Sequence, residues 1–358
     1  MGQVQQRVLT LAAALALAWP YGAAAPKFYP DDPLRREPPP VRVGKVKARK
    51  LSDYYDFFLN TFGKPGERQQ PGKSIPADGV NTLGEVPDSA WYTNRNGVHR
   101  MSLEELVRGP DRKGPPSAEG PWKVVSAKTQ GVTPGFTIED SRGIRYMIKF
   151  DPDSNPEMAT AADVIGAKFF YALGYHVPEN YITALVRGRL VLTSKTTFTD
   201  PLGKKRPMAE RDIDEILLNV RRGADGNIRG IASLYISGQP VGPFRYFGTR
   251  KDDPNDVVPH EHRRDLRGLF VFCAWLGHED SRSINTFDTL VEESGLRYVK
   301  HYLIDFGSIL GSASTKANSA RSGNDYLFAV KPSVAQFFTR GSVSYTHLRA
   351  HETVLELV

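Results

Sequence analysis

A single cysteine, Cys273, stands in a chain of 358 residues. An internal disulfide is excluded, and the surrounding apolar run LFVFCAWLG makes Cys273 a small buried side chain rather than a reactive thiol. Long apolar runs are scarce too. The opening stretch MGQVQQRVLTLAAALALAWPYGAAAP carries one base, Arg7, an apolar core from Val8 to Trp19, and small residues at Gly22 to Ala25. That pattern reads as a secretory signal peptide over 1–24, cleaved after Ala24 and too short for a membrane span. No later run approaches the ~20 apolar residues a spanning helix needs. The expectation is an exported protein, periplasmic or extracellular, with no span after signal cleavage.

What remains has the balance of a globular protein, 40% hydrophobic and 24% charged. The formal charge is +7. Part of the excess lies in RVGKVKARK, Arg42 to Lys50, which suits an anionic surface such as lipid or nucleic acid, or a solvated linker. No aromatic residue is interleaved with these bases, which favours the linker and argues against a nucleic-acid partner. The far end, VSYTHLRAHETVLELV, shares no pattern with the rest and resembles the translation of a sequencing-library adapter. Residues 342–358 are therefore set aside as an artefactual tail. His347 and His351, at helical spacing within it, are not read as metal ligands.

Residues 25–120 read as a Pro-rich linker followed by a wrapping extension. Two short helices are expected there, LSDYYDFFLNTF and SLEELVRG, the second with Ser102 and Glu105 placed for a capping box. From Pro121 the pattern changes. WKVVSAKTQ, FTIED and IRYMIKF alternate as three strands of an antiparallel meander. SNPEMATAADVIGAKFFYALGY then reads as a helix, with Asn155 or Ser154 as cap and Ala162, Ile165, Phe169 and Leu173 on one apolar stripe. NYITALVRGRLVLTSK is expected to return as a hairpin, giving β-β-β-α-β-β over 121–195. In 196–341, ERDIDEILLNV and HEHRRDLRGLFVFCAWLG read as helices. Leu266, Leu269, Phe270, Cys273 and Leu276 form the buried face of the second, and Gly277 stops it. A hairpin, INTFDTLV to LRYVKHYLIDFG, follows.

Several polar residues fall at telling places along that order. Lys149 ends the third strand, in YMIKF. WLGHEDSRSINTFDTL packs His278, Glu279, Asp280, Arg282 and Asn285 just past the long helix, and LIDFG sets Asp305, Phe306 and Gly307 after the last strand. Lysine, H-x-D-x-x-x-x-N and D-F-G in that order resemble the protein-kinase-like superfamily. The style is closest to its atypical members, the HipA-like proteins, spore-coat kinases and secretory-pathway kinases. The resemblance covers about 121–341. It implies an α+β, two-lobed fold, with a five-stranded antiparallel N-lobe carrying one helix over 121–195 and a mainly helical, incomplete C-lobe over 196–341.

The same resemblance implies the roles. Lys149 would hold phosphate oxygens of ATP. Asn285 and Asp305 would hold Mg²⁺ or Mn²⁺, hard ions that prefer oxygen ligands. Asp280 would orient or deprotonate the acceptor hydroxyl, and Arg282 would neutralise the transferred phosphate. Glu157 is favoured as the partner of Lys149 over Asp163, further along the same helix. KTQGVTPGF, with Gly131 and Gly135, occupies the place of the phosphate loop but lacks G-x-G-x-x-G, and A-P-E is absent as well. The implied activity is transfer of a phosphoryl or other nucleotide-derived group from ATP to a hydroxyl on a protein or small molecule. Two other readings stay open at this point. One is a non-catalytic kinase-like binding module of the cell envelope. The other is a metal-dependent hydrolase using His260, Glu261 and His262 with His278 and Asp305.

Overall fold

The computed structural model describes residues 39–63, 65–67, 72–97, 100–127, 134–199, 204–218 and 220–318. The expected signal peptide, the adapter-like tail and Gly131 lie outside these residues. The fold is mixed α/β, built around a seven-stranded sheet and a separate three-stranded sheet.

The meander forms as the alternation predicts. β1 (Trp122–Ala127), β2 (Gly135–Glu139) and β3 (Arg145–Phe150) pair antiparallel in sequence order. Their inward side chains, Trp122, Val124, Phe136, Ile138, Tyr146, Ile148 and Phe150, form the centre of one core. Beyond the helix α3 (Met158–Ala172) come β4 (Asn180–Leu185), β5 (Leu190–Thr199), β6 (Lys205–Pro207) and β7 (Ile228–Leu234). The order across the sheet is β4-β7-β3-β2-β1-β5-β6. The expected five strands are therefore seven. The expected β4–β5 hairpin does not form either. A 3₁₀ turn at Arg187–Arg189 sends β5 to the other side of the sheet, between β1 and the edge strand β6, where it runs parallel to β1 with Trp122 opposite Leu190. β7 fills the gap between β3 and β4.

α1 (Asp53–Phe58) and α2 (Leu103–Arg108) begin at Ser52 and Ser102, and the second carries the full capping box with Glu105. α3 (Met158–Ala172) starts differently from expectation. Neither Ser154 nor Asn155 caps it. The carboxylate of Asp151 accepts from the amides of Glu157 and Thr160, at 3.0 and 2.9 Å, and from the Thr160 hydroxyl. The buried face of α3 is also rotated from the expected stripe. It runs through Ala159, Ala162, Asp163, Gly166, Ala167 and Phe170, while Ile165 and Phe169 are exposed.

α4 (Glu210–Leu217) lays Ile213 and Leu217 against the first core. α5 (Arg264–Leu276) buries Leu266, Leu269, Cys273 and Leu276 in a second core, with Phe170 of α3 and Phe306; Phe270 is half exposed, not buried. Gly277 ends α5 in a left-handed conformation, as the sequence suggests. Burial pushes the Cys273 thiol up to about 12, which keeps it a neutral packing group. The described second half is not mainly helical. It is built on a three-stranded sheet of β8 (Gln239–Gly242), which precedes α5, with β9 (Thr286–Glu293) and β10 (Leu296–Leu303), which follow it.

The segment before β1 wraps this second half. Val43 and Val46 are buried against Val241, Leu290 and Val299. The amide of Val43 donates to the carbonyl of Arg297, and that of Asp78 to His262. Trp91 stacks on His301 at 3.5 Å between ring centroids. The basic run Arg42 to Lys50 is thus tied to the sheet by Val43 and Val46 rather than hanging free.

Candidate active site

Three ionic residues from three elements meet under β3. Lys149 alternates with the buried Ile148 and Phe150, so its side chain leaves the opposite face of the strand. Its ammonium donates to Asp163 Oδ2 at 2.6 Å and to Asp305 Oδ1 at 3.0 Å. Asp163 comes from the buried face of α3. Asp305 comes from the segment after β10 and holds a left-handed backbone, φ 64°. That conformation is costly for a residue with a Cβ and clusters at functional sites.

The electrostatics follow from burial. The Lys149 side chain is 13% exposed. Burial works against its charge, but the carboxylates of Asp163 and Asp305 outweigh it and hold the ammonium above the ordinary lysine range. Burial pushes Asp163 the other way, toward protonation, and the ammonium and the Phe306 amide oppose that. Asp163 Oδ1 accepts from the amide of Phe306 at 3.1 Å and from Asn180 Nδ2 at 3.0 Å. Asn180 is buried and its own amide oxygen meets no partner among the described residues, so Asp163 fixes which way the amide points.

Glu157 does not join this group. It is exposed at the start of α3, its φ is 70°, and its backbone amide bonds Asp151. The ion pair expected of Glu157 is made by Asp163. Gly135 opens β2 directly opposite Lys149, and a Cβ there would collide with the carbonyl of Ile148. Its glycine lets two strands close beside the lysine. Gly131 belongs to the residues not described.

The loop after α5 lies below. The His278 ring is buried between Phe170 and Phe306, with centroids at 5.7 and 5.9 Å, and its Nδ1 hydrogen donates to the Ser308 carbonyl at 3.3 Å. Burial lowers its pKa, keeping it neutral. It ties the loop to the D-F-G segment rather than facing solvent for proton chemistry. Asn285 Nδ2 donates to the Asp280 carbonyl at 2.8 Å, and the Asn285 carbonyl accepts from Ile304, next to Asp305, at 3.0 Å. Arg282 Nε donates to Asp280, and its other end to Asp53 of α1. In sequence Asp53 reads only as a candidate start of the first short helix, because its ionic partner lies 229 residues away.

The histidines proposed for a hydrolase do not converge. His260 pairs with Asp256 at 2.9 Å, and His262 with Glu67 at 3.1 Å. No three His, Cys, Asp or Glu side chains gather to hold a metal among the described residues.

No protein-family model and no curated protein matches the chain. Two solved structures are similar over part of it, the crystal structure of the Golgi casein kinase and that kinase with Mn/ADP bound. Each is 12% identical with a TM-score of 0.28, over 58% of this chain. The chain spans only 56% and 57% of the lengths of those structures. Likenesses that weak assign no family, and the site's own geometry carries the reading that follows.

Proposed function

We propose that the chain is a kinase-like phosphotransferase that moves a phosphoryl or other nucleotide-derived group from ATP to a hydroxyl. The observation that carries this is the Lys149–Asp163–Asp305 cluster, with the Asp280–Asn285 loop hydrogen-bonded to the residue before Asp305. Phosphoryl transfer needs positioning and charge neutralisation more than covalent chemistry, and these are the residue types that supply both. Lys149 would engage α/β-phosphate oxygens by turning from Asp305.

The donor chemistry fits a hard divalent ion. The carboxylate of Asp305, with its side chain 43% exposed, and the amide oxygen of Asn285 would hold Mg²⁺ or Mn²⁺. Such an ion, when bound, neutralises phosphate charge. Asp280 would orient the acceptor hydroxyl and accept its proton, and Arg282, two residues on, would meet the transferred phosphate. Signal-directed export remains part of this reading.

One observation favours a second reading, a non-catalytic kinase-like binding module. The Asp280 carboxylate is engaged by Arg282, which Asp53 also holds. Thermal unfolding with ATP and Mn²⁺ tests nucleotide binding. Saturation near a hundredfold over Kd raises stability by about 2.7 kcal/mol. The gain should vanish in Asp305→Ala and survive in His262→Ala. No gain in the parent chain sinks the phosphotransferase and leaves the module, which needs no nucleotide. A gain without transfer to any hydroxyl acceptor leaves the module.

A further inference from the structure

α1 and the π-helical turn after it, Leu59–Gly63, are amphipathic in the wrong sense. The acids point inward. Asp53 bonds Arg282, and Asp56 is buried, where it interacts with Ser283 and Asn60. The rings point outward. Tyr54 is 80% exposed, Phe62 71%, Tyr55 59% and Phe58 56%, with Phe57 also exposed. The rings of Phe57, Phe58 and Phe62 touch one another, edge-on at 5.6 Å and stacked at 5.9 Å. An apolar cluster this contiguous, on a helix whose polar face is already used, marks a surface that meets something apolar.

Charge selects the occupant. Immediately upstream, Lys45, Lys47 and Lys50 are exposed and make no salt bridge among the described residues. Bases beside an exposed aromatic helix are the combination that seats a protein on anionic lipid, with rings at the acyl boundary and ammoniums at the headgroups. We propose that residues 45–63 dock this chain peripherally on an anionic bilayer surface. A nucleic acid is the poorer fit, because phenylalanines dominate the cluster and no base stands among the rings.

Flotation of the full chain with vesicles tests this, using phosphatidylcholine alone or mixed with phosphatidylglycerol. The mixed vesicles should bind it on the order of a hundredfold more tightly. Phe58→Ser/Phe62→Ser should lose binding to both kinds of vesicle. Lys45→Glu/Lys47→Glu/Lys50→Glu should lose only the anionic preference, by on the order of a hundredfold. All five positions are exposed, and circular dichroism checks that each variant folds. Binding that is absent, or indifferent to both variants, overturns the proposal. So does a dimer in light scattering that Phe58→Ser dissociates, which would give the face to a second copy. Displacement of bound vesicles by a single-stranded oligonucleotide would give it to nucleic acid.

Discussion

Gly166 of α3 packs so close to Phe306 that a Cβ at 166 would lie 2.6 Å from the Phe306 Cβ and 2.5 Å from Ile309 Cδ1. The isoleucine end can swing away, but the Phe306 Cβ is fixed to the backbone next to Asp305. Gly166→Ala therefore separates α3 from the segment that carries Asp305. Overpacking of this kind costs about 1–3 kcal/mol. The expected outcome is that loss in chemical denaturation, together with weaker ATP–Mn²⁺ binding. Unchanged stability would mean that the helix slides freely on the segment.

Asp163, not Glu157, is the carboxylate that Lys149 needs. Asp163→Ala leaves a buried ammonium with one partner and strips an acceptor from Phe306 and Asn180. Breaking a buried pair in this way costs about 3–5 kcal/mol. Glu157→Gln is expected to stay within about 0.5 kcal/mol of the parent. Urea unfolding of the two variants, side by side, separates the assignments.

Arg282 is clamped between Asp53 and Asp280, with side chains 31%, 46% and 32% exposed. Screening by solvent limits each link to under about 1 kcal/mol. Asp53→Ala should therefore barely move the melting temperature. It should also release Arg282 toward phosphate, raising affinity for ATP with Mn²⁺ by at most roughly fivefold. Isothermal titration reads this, and an unchanged affinity would assign Arg282 to holding the loop alone.

Acid should weaken the fold through its buried histidines. Burial depresses His176 to about 3, and the ring bonds the His301 carbonyl and the Thr93 hydroxyl. Unfolded, it titrates near 6.5. Between those values the unfolded chain binds the extra proton, so stability is full above pH 6.5 and falls as pH drops toward 3. The slope is about 1.4 kcal/mol per pH unit for each such histidine. His278, lowered by the same cause, adds to it. His176→Gln should flatten the curve by about one proton, measured by denaturant titrations from pH 7 to 5.

Much of the frame was legible in the sequence. Capping at Ser102, strict alternation in β3 and the glycine stop at 277 are local signals, and local signals survive folding. β7 was not legible. Gly230 sits inside it because a Cβ there would crowd the Lys149 carbonyl and the Phe150 ring, and a strand glycine erases the alternation that marks a strand. The placement of β5 was hidden too, since alternation says that a strand forms but not which side of the sheet receives it. At the site, Glu157 drew attention by nearness to Lys149. The better signal was a carboxylate on the face shared with Ala159, Gly166 and Phe170. A polar residue on a helix's apolar side needs a buried partner, and here that partner is Lys149.

The wrapping extension also sets a timetable. Arg42 bonds Gly295 across 253 residues, and Val43 bonds Arg297 beside it. During synthesis the strap around Val43 and Val46 has no sheet to rest on until residues 286–303 have followed. Such long-range closure slows folding and leaves apolar side chains waiting in the open. The strap therefore closes only once β9 and β10 are in place. A fragment beginning at residue 121 would lack the strap that covers Val241, Leu290 and Val299.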